Sequence, residues 1–221
     1  MHIGQALVTS LLATMIAAAP SLAQVCEGRP GADAGNVLLG AGYSAGSGAK
    51  EFGVGVTGLG ARAYGGATVG SVSYDDFSGS TTTLSGSVGY QLPVGSSARA
   101  QLCPYLHGGF GFGPNDIGGT GIDLSARTLG AGVSWGFRAT QSSGFGLFPT
   151  VSAGFAYYSV KLTDGVDDLT ESDTYGQIGL GLGFVFSRQF AVRPAITIPV
   201  GLEGADPILG VAISLSVGRT K

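Results

Sequence analysis

Two cysteines are the residues of this chain with the most defined chemistry. Cys26 precedes the first of ten predicted β-strands (residues 35–45), and Cys103 lies in the fifth (residues 98–112). In an exported chain, two cysteines favour one disulfide, and residues 1–23 predict export. The alternatives are two free thiols or a disulfide on the outside of the fold. We predict that Cys26 and Cys103 are joined, because Cys103 falls on the interior side of its strand.

Three arginines fall on the interior side of the predicted strands, near one end of the molecule: Arg99, Arg138 and Arg193. A ring of guanidinium groups would favour anions in a pore. We prefer a second interpretation, in which they pair with Glu27 or Asp33, or line a wet opening, because buried charges need partners.

The fifth predicted strand also places Gln101, Tyr105 and His107 on its interior side. His107 is the only histidine after His2, and it lies in mid-strand rather than beside an acid or a nucleophile in a loop. We therefore interpret it as a hydrogen-bonded interior histidine, and we predict neither enzymatic activity nor a cofactor.

Acidic residues concentrate in the segment TDGVDDLTESD, Thr163 to Asp173, which is predicted to be a loop. Carboxylate clusters can bind divalent cations, but this segment lacks the spacing of an EF-hand loop. A solvated acidic loop is the preferred interpretation. The candidate cation ligands are Asp164, Asp167, Asp168, Glu171 and Asp173.

The composition limits the fold that must position these residues. Charged residues make up 11% of the 221 residues, against about 25% in an average protein. Glycine supplies 41 residues, which disfavours long helices. A chain rich in Gly, Val, Ser, Thr and Tyr favours strands.

Alternation of side chains with period two is the main structural signal. In Pro207 to Val217, large apolar residues at odd positions alternate with small residues that carry no charge. The pattern recurs about ten residues at a time, which predicts strands. The ten segments are 35–45, 50–58, 63–74, 81–92, 98–112, 126–139, 145–161, 173–187, 190–200 and 207–217.

These segments predict an all-β fold, a closed antiparallel up-and-down transmembrane β-barrel of ten strands. Tilted strands of about ten residues cross a bilayer. The acids gather at one set of connections and most arginines at the other end, as expected for external loops and periplasmic turns. An eight-stranded barrel is the alternative. A soluble secreted β-barrel that binds a small ligand is a more distant alternative, because such a protein needs charged outward faces and these strands have almost no charged residues.

The N-terminal residues predict export. Residues 1–23 have the apolar stretch and small-residue cleavage region of a signal peptide. Residues 24–34 are predicted to fold into the periplasmic mouth as a candidate plug, fastened through Cys26. Residues 35–221 form the predicted barrel.

The signal peptide, the Gly-rich alternating strands, GSVGYQLP at Gly86 to Pro93 and GVAISLSVGR near the C-terminus resemble the small bacterial outer-membrane β-barrel proteins of eight to ten strands. The resemblance implies an outer-membrane location, contact with outer-membrane lipid and assembly by the barrel-assembly machinery. The chain departs from such proteins by ending Val217 to Lys221 without the aromatic residue that this machinery often reads.

Two function classes fit this sequence. The first is a non-catalytic envelope protein with a structural, surface-interaction or adhesive role and acidic external loops. The second is a narrow, passive, porin-like channel for small solutes. No basic patch suits a nucleic acid, so none is predicted as a partner.

Overall fold

The computed structural model describes residues 37–46, 48–60, 62–75, 79–94, 100–114, 123–142, 144–163, 168–186 and 189–217. The predicted signal peptide and plug, Cys26, Arg99, Asp164 and Asp167 lie outside these ranges. Within the described ranges, no helix is both long enough and apolar enough to span a membrane.

Twelve β-strand segments make up the described fold. They are β1 Val37–Gly46, β2 Ala49–Leu59, β3 Ala63–Tyr74, β4 Ser80–Tyr90, β5 Leu92–Val94, β6 Ala100–Phe112, β7 Asp123–Phe137, β8 Thr140–Gln141, β9 Phe145–Thr163, β10 Asp168–Phe186, β11 Phe190–Val200 and β12 Ile208–Val217. Two of them are short: β5 follows β4 and pairs with the same strand, β6, and β8 pairs with β9. The other ten are long strands, and together they form the wall of the barrel.

The ten long strands form one closed antiparallel barrel. Each pairs with its neighbours along the chain, and β1 pairs with β12 from Val37↔Val217 to Ala45↔Leu209, which closes the ring. The predicted ten-stranded up-and-down barrel is therefore confirmed, and the eight-stranded alternative is wrong. We call the end that holds Val37 and Val217 the terminal end, the opposite end the distal end, and the interior the lumen.

The outward faces of the strands carry an apolar band around the barrel. On β12, Leu209, Val211, Ile213, Leu215 and Val217 are all exposed, whereas Ala212 and Ser214 between them are buried. The eight residue steps from Leu209 to Val217 span about 26 Å at about 3.3 Å per residue. A tilt of about 40° reduces this to a band about 20 Å tall, close to that of membrane barrels.

Aromatic residues line both edges of the apolar band. The terminal edge exposes Tyr90, Trp135, Phe145, Phe186 and Phe190, and the distal edge exposes Tyr43, Phe52, Phe110, Phe112, Phe155 and Tyr157. Such rings are favoured at membrane–water interfaces. Five of the six aromatic residues that alternation places outward near an edge, Tyr90, Phe110, Phe112, Trp135 and Phe155, are exposed there; the sixth, Phe137, is partly covered and packs 5.3 Å from Trp135 between ring centroids.

The acidic segment predicted as a loop is mostly a β-ribbon. β9 and β10 have 19 residues each and pair without a break from Asp168↔Thr163 to Phe186↔Phe145. The loop prediction for residues 168–172 was therefore wrong, whereas Asp173 was already the first residue of the predicted strand 173–187. β10 pairs with β11 only as far as Gly176↔Val200. The β9–β10 ribbon consequently projects beyond the distal edge of the band, with one edge of β10 unpaired among the described strands.

Candidate functional site

The lumen face of the wall carries mostly small side chains, with larger polar ones among them. Buried inward-facing residues include polar ones, among them Glu51, His107, Gln177 and Arg193. A cavity beside Arg193 has a volume of about 20 Å³. Since one water needs roughly 10–15 Å³ of such volume, this cavity is no wider than a site for a water molecule.

Glycines on the lumen face are covered by aromatic rings of neighbouring strands. Tyr64 of β3 lies over Gly89 of β4, its partner in register. His107 of β6 lies over Gly130 of β7 in the same way, at 2.5 Å from the position that a Cβ would take. Covering a strand glycine with an aromatic ring is a known means of fixing register. These glycines therefore provide space for rings and do not leave an open bore.

Replacing Gly89 with alanine is expected to lower the free energy of unfolding by about 1–3 kcal/mol, because the new methyl group overpacks a closed site. The methyl group would overlap the Tyr64 ring, which is itself buried against Leu38, Leu59 and Cys103. Urea titration of the folded barrel in lipid vesicles measures the loss.

Gly86→Ala on the same strand is the matched control, because the nearest atom to its Cβ position is the Gly66 carbonyl oxygen at 3.5 Å. An equal loss in the two variants would contradict the role assigned to the Tyr64–Gly89 contact.

The predicted interior row of β6 is found in the lumen. Cys103, Tyr105 and His107 are buried, Gln101 is partly buried, and the Tyr105 and His107 rings stack at 5.8 Å between centroids. Ser87 is the register partner of His107 on β4, but its hydroxyl makes no hydrogen bond within the described residues. No activated Ser–His pair is therefore formed at this position.

The cysteine prediction is tested at one of its two residues. Cys103 is 1% exposed and packs with Leu38, Leu59 and Tyr64 near the terminal end. This agrees with the predicted inward direction of Cys103. The disulfide and the plug stay predictions, because Cys26 lies outside the described residues.

Two of the three predicted lumen arginines are described. Arg193 is buried on β11, and Arg138 follows the last residue of β7 with partial exposure. Both occupy inward positions in the alternation of their strands. Whether they pair with Glu27 or Asp33 stays a prediction, since neither acid lies in the described ranges.

An apolar cluster lies in the distal part of the lumen. Its members come from six strands on all sides of the wall: Ala49, Val72, Tyr74, Leu124, Ala126, Ala156, Tyr158, Val160, Tyr175 and Ile208, with Leu162 and Leu202 packed against them. The rings of Tyr158 and Tyr175 meet at 6.2 Å between centroids. We call these residues the distal cluster.

Hydrogen bonds fasten the polar groups next to the distal cluster. The Tyr74 hydroxyl donates to Thr81 Oγ1 at 2.9 Å, and Thr81 donates to the Gly113 carbonyl oxygen at 2.5 Å. Thr83 donates to Glu51 Oε1 at 3.1 Å. Because buried polar groups are costly when unpaired, these bonds stabilise the arrangement, although Glu51 Oε2 is buried and accepts no hydrogen bond within the described residues.

The candidate cation ligands that are described do not converge. Alternation along β10 places Asp168 on the outer face of the ribbon, and Glu171 and Asp173 on the face that continues the lumen wall. Asp168 instead bonds Lys161 at 2.7 Å and Thr163 at 2.8 Å. The bonds to Lys161 and Thr163 hold the pKa of Asp168 below its usual value. No group of three metal-ligating side chains occurs in the described part of the chain.

The distal cluster and the glycine–ring contacts were missed by sequence reasoning. The cluster residues occupy the ends of several strands, so their meeting depends on the registers of all of them. The only sequence signal was that Tyr74, Tyr158 and Tyr175 fall at inward positions in the alternation of their strands.

A closed ten-stranded wall with an apolar band and aromatic edges defines a membrane-spanning β-barrel. No family model matches the chain, and no curated protein matches it in sequence. Among solved structures, it is similar to the translocator domain of the autotransporter NalP from Neisseria meningitidis. The TM-score is 0.56 and the identity 15%, over 95% of this chain and 98% of that one.

Two further similarities are weaker. The N-terminal β-barrel domain of Pseudomonas aeruginosa OprF gives a TM-score of 0.40 and 14% identity, over 83% of this chain and 98% of that one. The KdgM porin gives 0.38 and 8%, over 82% and 99%. At such identities, similarity bears on the fold and carries no function across.

Proposed function

We propose that this protein is a non-catalytic outer-membrane β-barrel that acts through the surface of its distal end and does not conduct solutes. The observation that carries this proposal is the distal cluster, which joins side chains from β2, β3, β7, β9, β10 and β12 across the lumen. A passive channel needs a continuous water-filled path, and a dry layer of this kind interrupts it.

The outer-membrane location is supported by the wall itself. Only helices and closed barrels pair all their backbone groups inside a bilayer, and barrels of this design belong to outer membranes. The apolar band would be costly to expose to water, since large apolar patches are rare on soluble monomers. The predicted signal peptide agrees with this location.

The surface role is supported by the β9–β10 ribbon. Residues 168–174 of β10 are exposed at every position, on both faces of the strand. A strand with an open edge offers backbone groups and side chains to a partner. Interaction or adhesion at this ribbon is therefore the function that the geometry favours over transport.

Planar-bilayer recording tests the closed lumen. The purified, folded barrel is expected to insert without stable unitary conductance steps in several lipid compositions, whereas a known porin in the same bilayers gives steps. Insertion is verified by the protease resistance of the reconstituted protein. Reproducible steps of one size from the wild-type barrel would contradict the proposal and favour the porin-like channel.

A further inference from the structure

The outer face of the barrel has a polar groove at the distal edge of the apolar band. It lies across the neighbouring strands β6, β7, β9 and β10 and has a volume of about 330 Å³. Its walls include the rings of Phe110 and Phe112, and the polar side chains of Arg127, Lys161 and Thr170 from neighbouring strands. Because Arg127 is in register with Phe110, and Lys161 with Ser125, the partner of Phe112, apolar rings and polar side chains meet at the distal edge of the band.

Arg127 differs from the other described cations at this edge. Lys50 bonds Asp75 at 2.5 Å, and Lys161 bonds Asp168 at 2.7 Å. Within the described residues, Arg127 makes no ion pair. Tyr157, the register partner of Leu129 on β9, lies diagonally across from Arg127 on the same outer face.

Side chains that carry hydroxyl groups lie near Arg127 on the outer face. Ser159 is its register partner on β9 but is only 4% exposed. Ser125 on β7 and Thr170 on β10 also line the groove, and both are exposed. Their hydroxyl groups are therefore open to an anion that binds at Arg127.

Aromatic rings provide the apolar side of the groove. Phe110 is the register partner of Arg127 on β6, and its ring stacks with that of Phe112 at 6.4 Å between centroids. Both rings are more than half exposed. Toward the terminal end, Leu129 continues the apolar surface on β7.

We propose that this groove binds the phosphate-bearing headgroup of an anionic lipid from the surrounding membrane. Arg127 pairs with the phosphate, the hydroxyls of Ser125 and Thr170 add hydrogen bonds, and an acyl chain lies along Phe110, Phe112 and Leu129. Guanidinium–phosphate hydrogen bonds are charge-assisted and directional. Of the described residues, two cations, Arg127 and Lys161, line the groove and no carboxylate does. Lys161 is already paired with Asp168, so Arg127 is the cation available to an anion.

The position of the groove favours a lipid over a free anion or a protein. Its apolar side is continuous with the apolar band, and its polar side holds Arg127. Only a ligand that has both a hydrocarbon chain and an anionic group contacts both sides favourably. Because the groove lies on the outer wall, lipid binding there is independent of whether the lumen conducts and of any surface partner.

Native mass spectrometry of the folded barrel tests the proposal. The protein in neutral detergent receives equal amounts of phosphatidic acid and phosphatidylcholine with identical acyl chains. The wild type is expected to retain phosphatidic acid preferentially. Arg127→Gln is expected to reduce that retention about tenfold, as loss of about 1.4 kcal/mol of charge-assisted bonding predicts.

Lys50→Gln is the matched control, because Lys50 also faces outward at the distal edge but is already paired with Asp75. It is expected to keep the wild-type preference, and the gel mobility of both variants verifies that they fold. Equal reductions in the two variants would show general attraction and overturn the proposal. So would equal retention of the two lipids by the wild type, or release of the lipid by millimolar inorganic phosphate, which would make the ligand a free anion.

Discussion

Replacing Tyr175 with alanine is expected to lower the free energy of unfolding of the barrel by about 3–5 kcal/mol, the range for truncating a large aromatic side chain in a packed core. Tyr175 is 2% exposed and lies in the distal cluster against the ring of Tyr158. Its removal leaves a cavity bounded by the stiff barrel wall, which cannot collapse to fill it. The loss is measured by urea titration in lipid vesicles.

Tyr175→Phe separates the packing of the ring from the hydroxyl group. The Tyr175 hydroxyl is buried and makes no hydrogen bond within the described residues. Because an unpaired buried hydroxyl is costly, the phenylalanine variant is expected to be as stable as the wild type or slightly more stable. A loss below about 1 kcal/mol for the alanine variant would show that the distal cluster is not a packed layer.

The Tyr158–Tyr175 pair can be isolated by a double-mutant cycle. Aromatic pairs in contact contribute about 0.5–1.5 kcal/mol beyond area burial. A coupling of that size between Tyr158→Ala and Tyr175→Ala would place the two rings in contact in the folded barrel. Since the rings come from neighbouring strands, the cycle also tests the β9–β10 register.

The ten strands were predictable because a bilayer imposes one rule on every outward position. In β12, Leu209, Ile213 and Leu215 are exposed, which is unfavourable in water but favourable in lipid. Contact with lipid therefore produces a strong alternation of large apolar and small residues in the sequence. β3 alternates only weakly in sequence, yet the predicted segment 63–74 coincides with the strand Ala63–Tyr74.

The β9–β10 ribbon was not predictable by the same rule, because both of its faces lie beyond the apolar band. With no lipid on one side, Thr170, Glu171 and Ser172 carry no apolar alternation, and the segment has the composition of a loop. It is a strand because β9 supplies a complete row of hydrogen-bonding partners. Backbone pairing of this kind does not require particular side-chain types, so the sequence does not indicate it.

The candidate site depended on register, which the sequence indicates only weakly. Tyr64 covers Gly89 because β3 and β4 are aligned at that pair. Slipping the pairing by one residue would turn one strand's inward set toward lipid. The polarity of each strand face therefore excludes register shifts by an odd number of residues. A shift by two residues leaves every side chain on its original face, but it would pair Tyr64 with a different residue. The individual contacts follow from packing between strands, which the pattern of one strand does not contain.

Replacing Ile213 with arginine is expected to cost about 2–4 kcal/mol of stability in lipid vesicles, because it places a charge at the middle of the band. Ile213 is the central outward residue of β12, and its register partners Ala41 and Val192 also face outward. Ser71→Arg is the matched control: Ser71 faces outward on β3 just beyond Val69, at the distal edge. There an arginine costs about 0–1 kcal/mol.

The difference between the two variants tests the orientation on which the interpretation of this barrel depends. If the outer face met water, an arginine at position 213 would improve solubility and leave stability nearly unchanged, since surface substitutions usually stay within about 0.5 kcal/mol. If it meets lipid, only the central substitution is costly. Equal stability of the Ile213→Arg and Ser71→Arg barrels in vesicles would therefore contradict membrane insertion, and with it the lipid site proposed at Arg127.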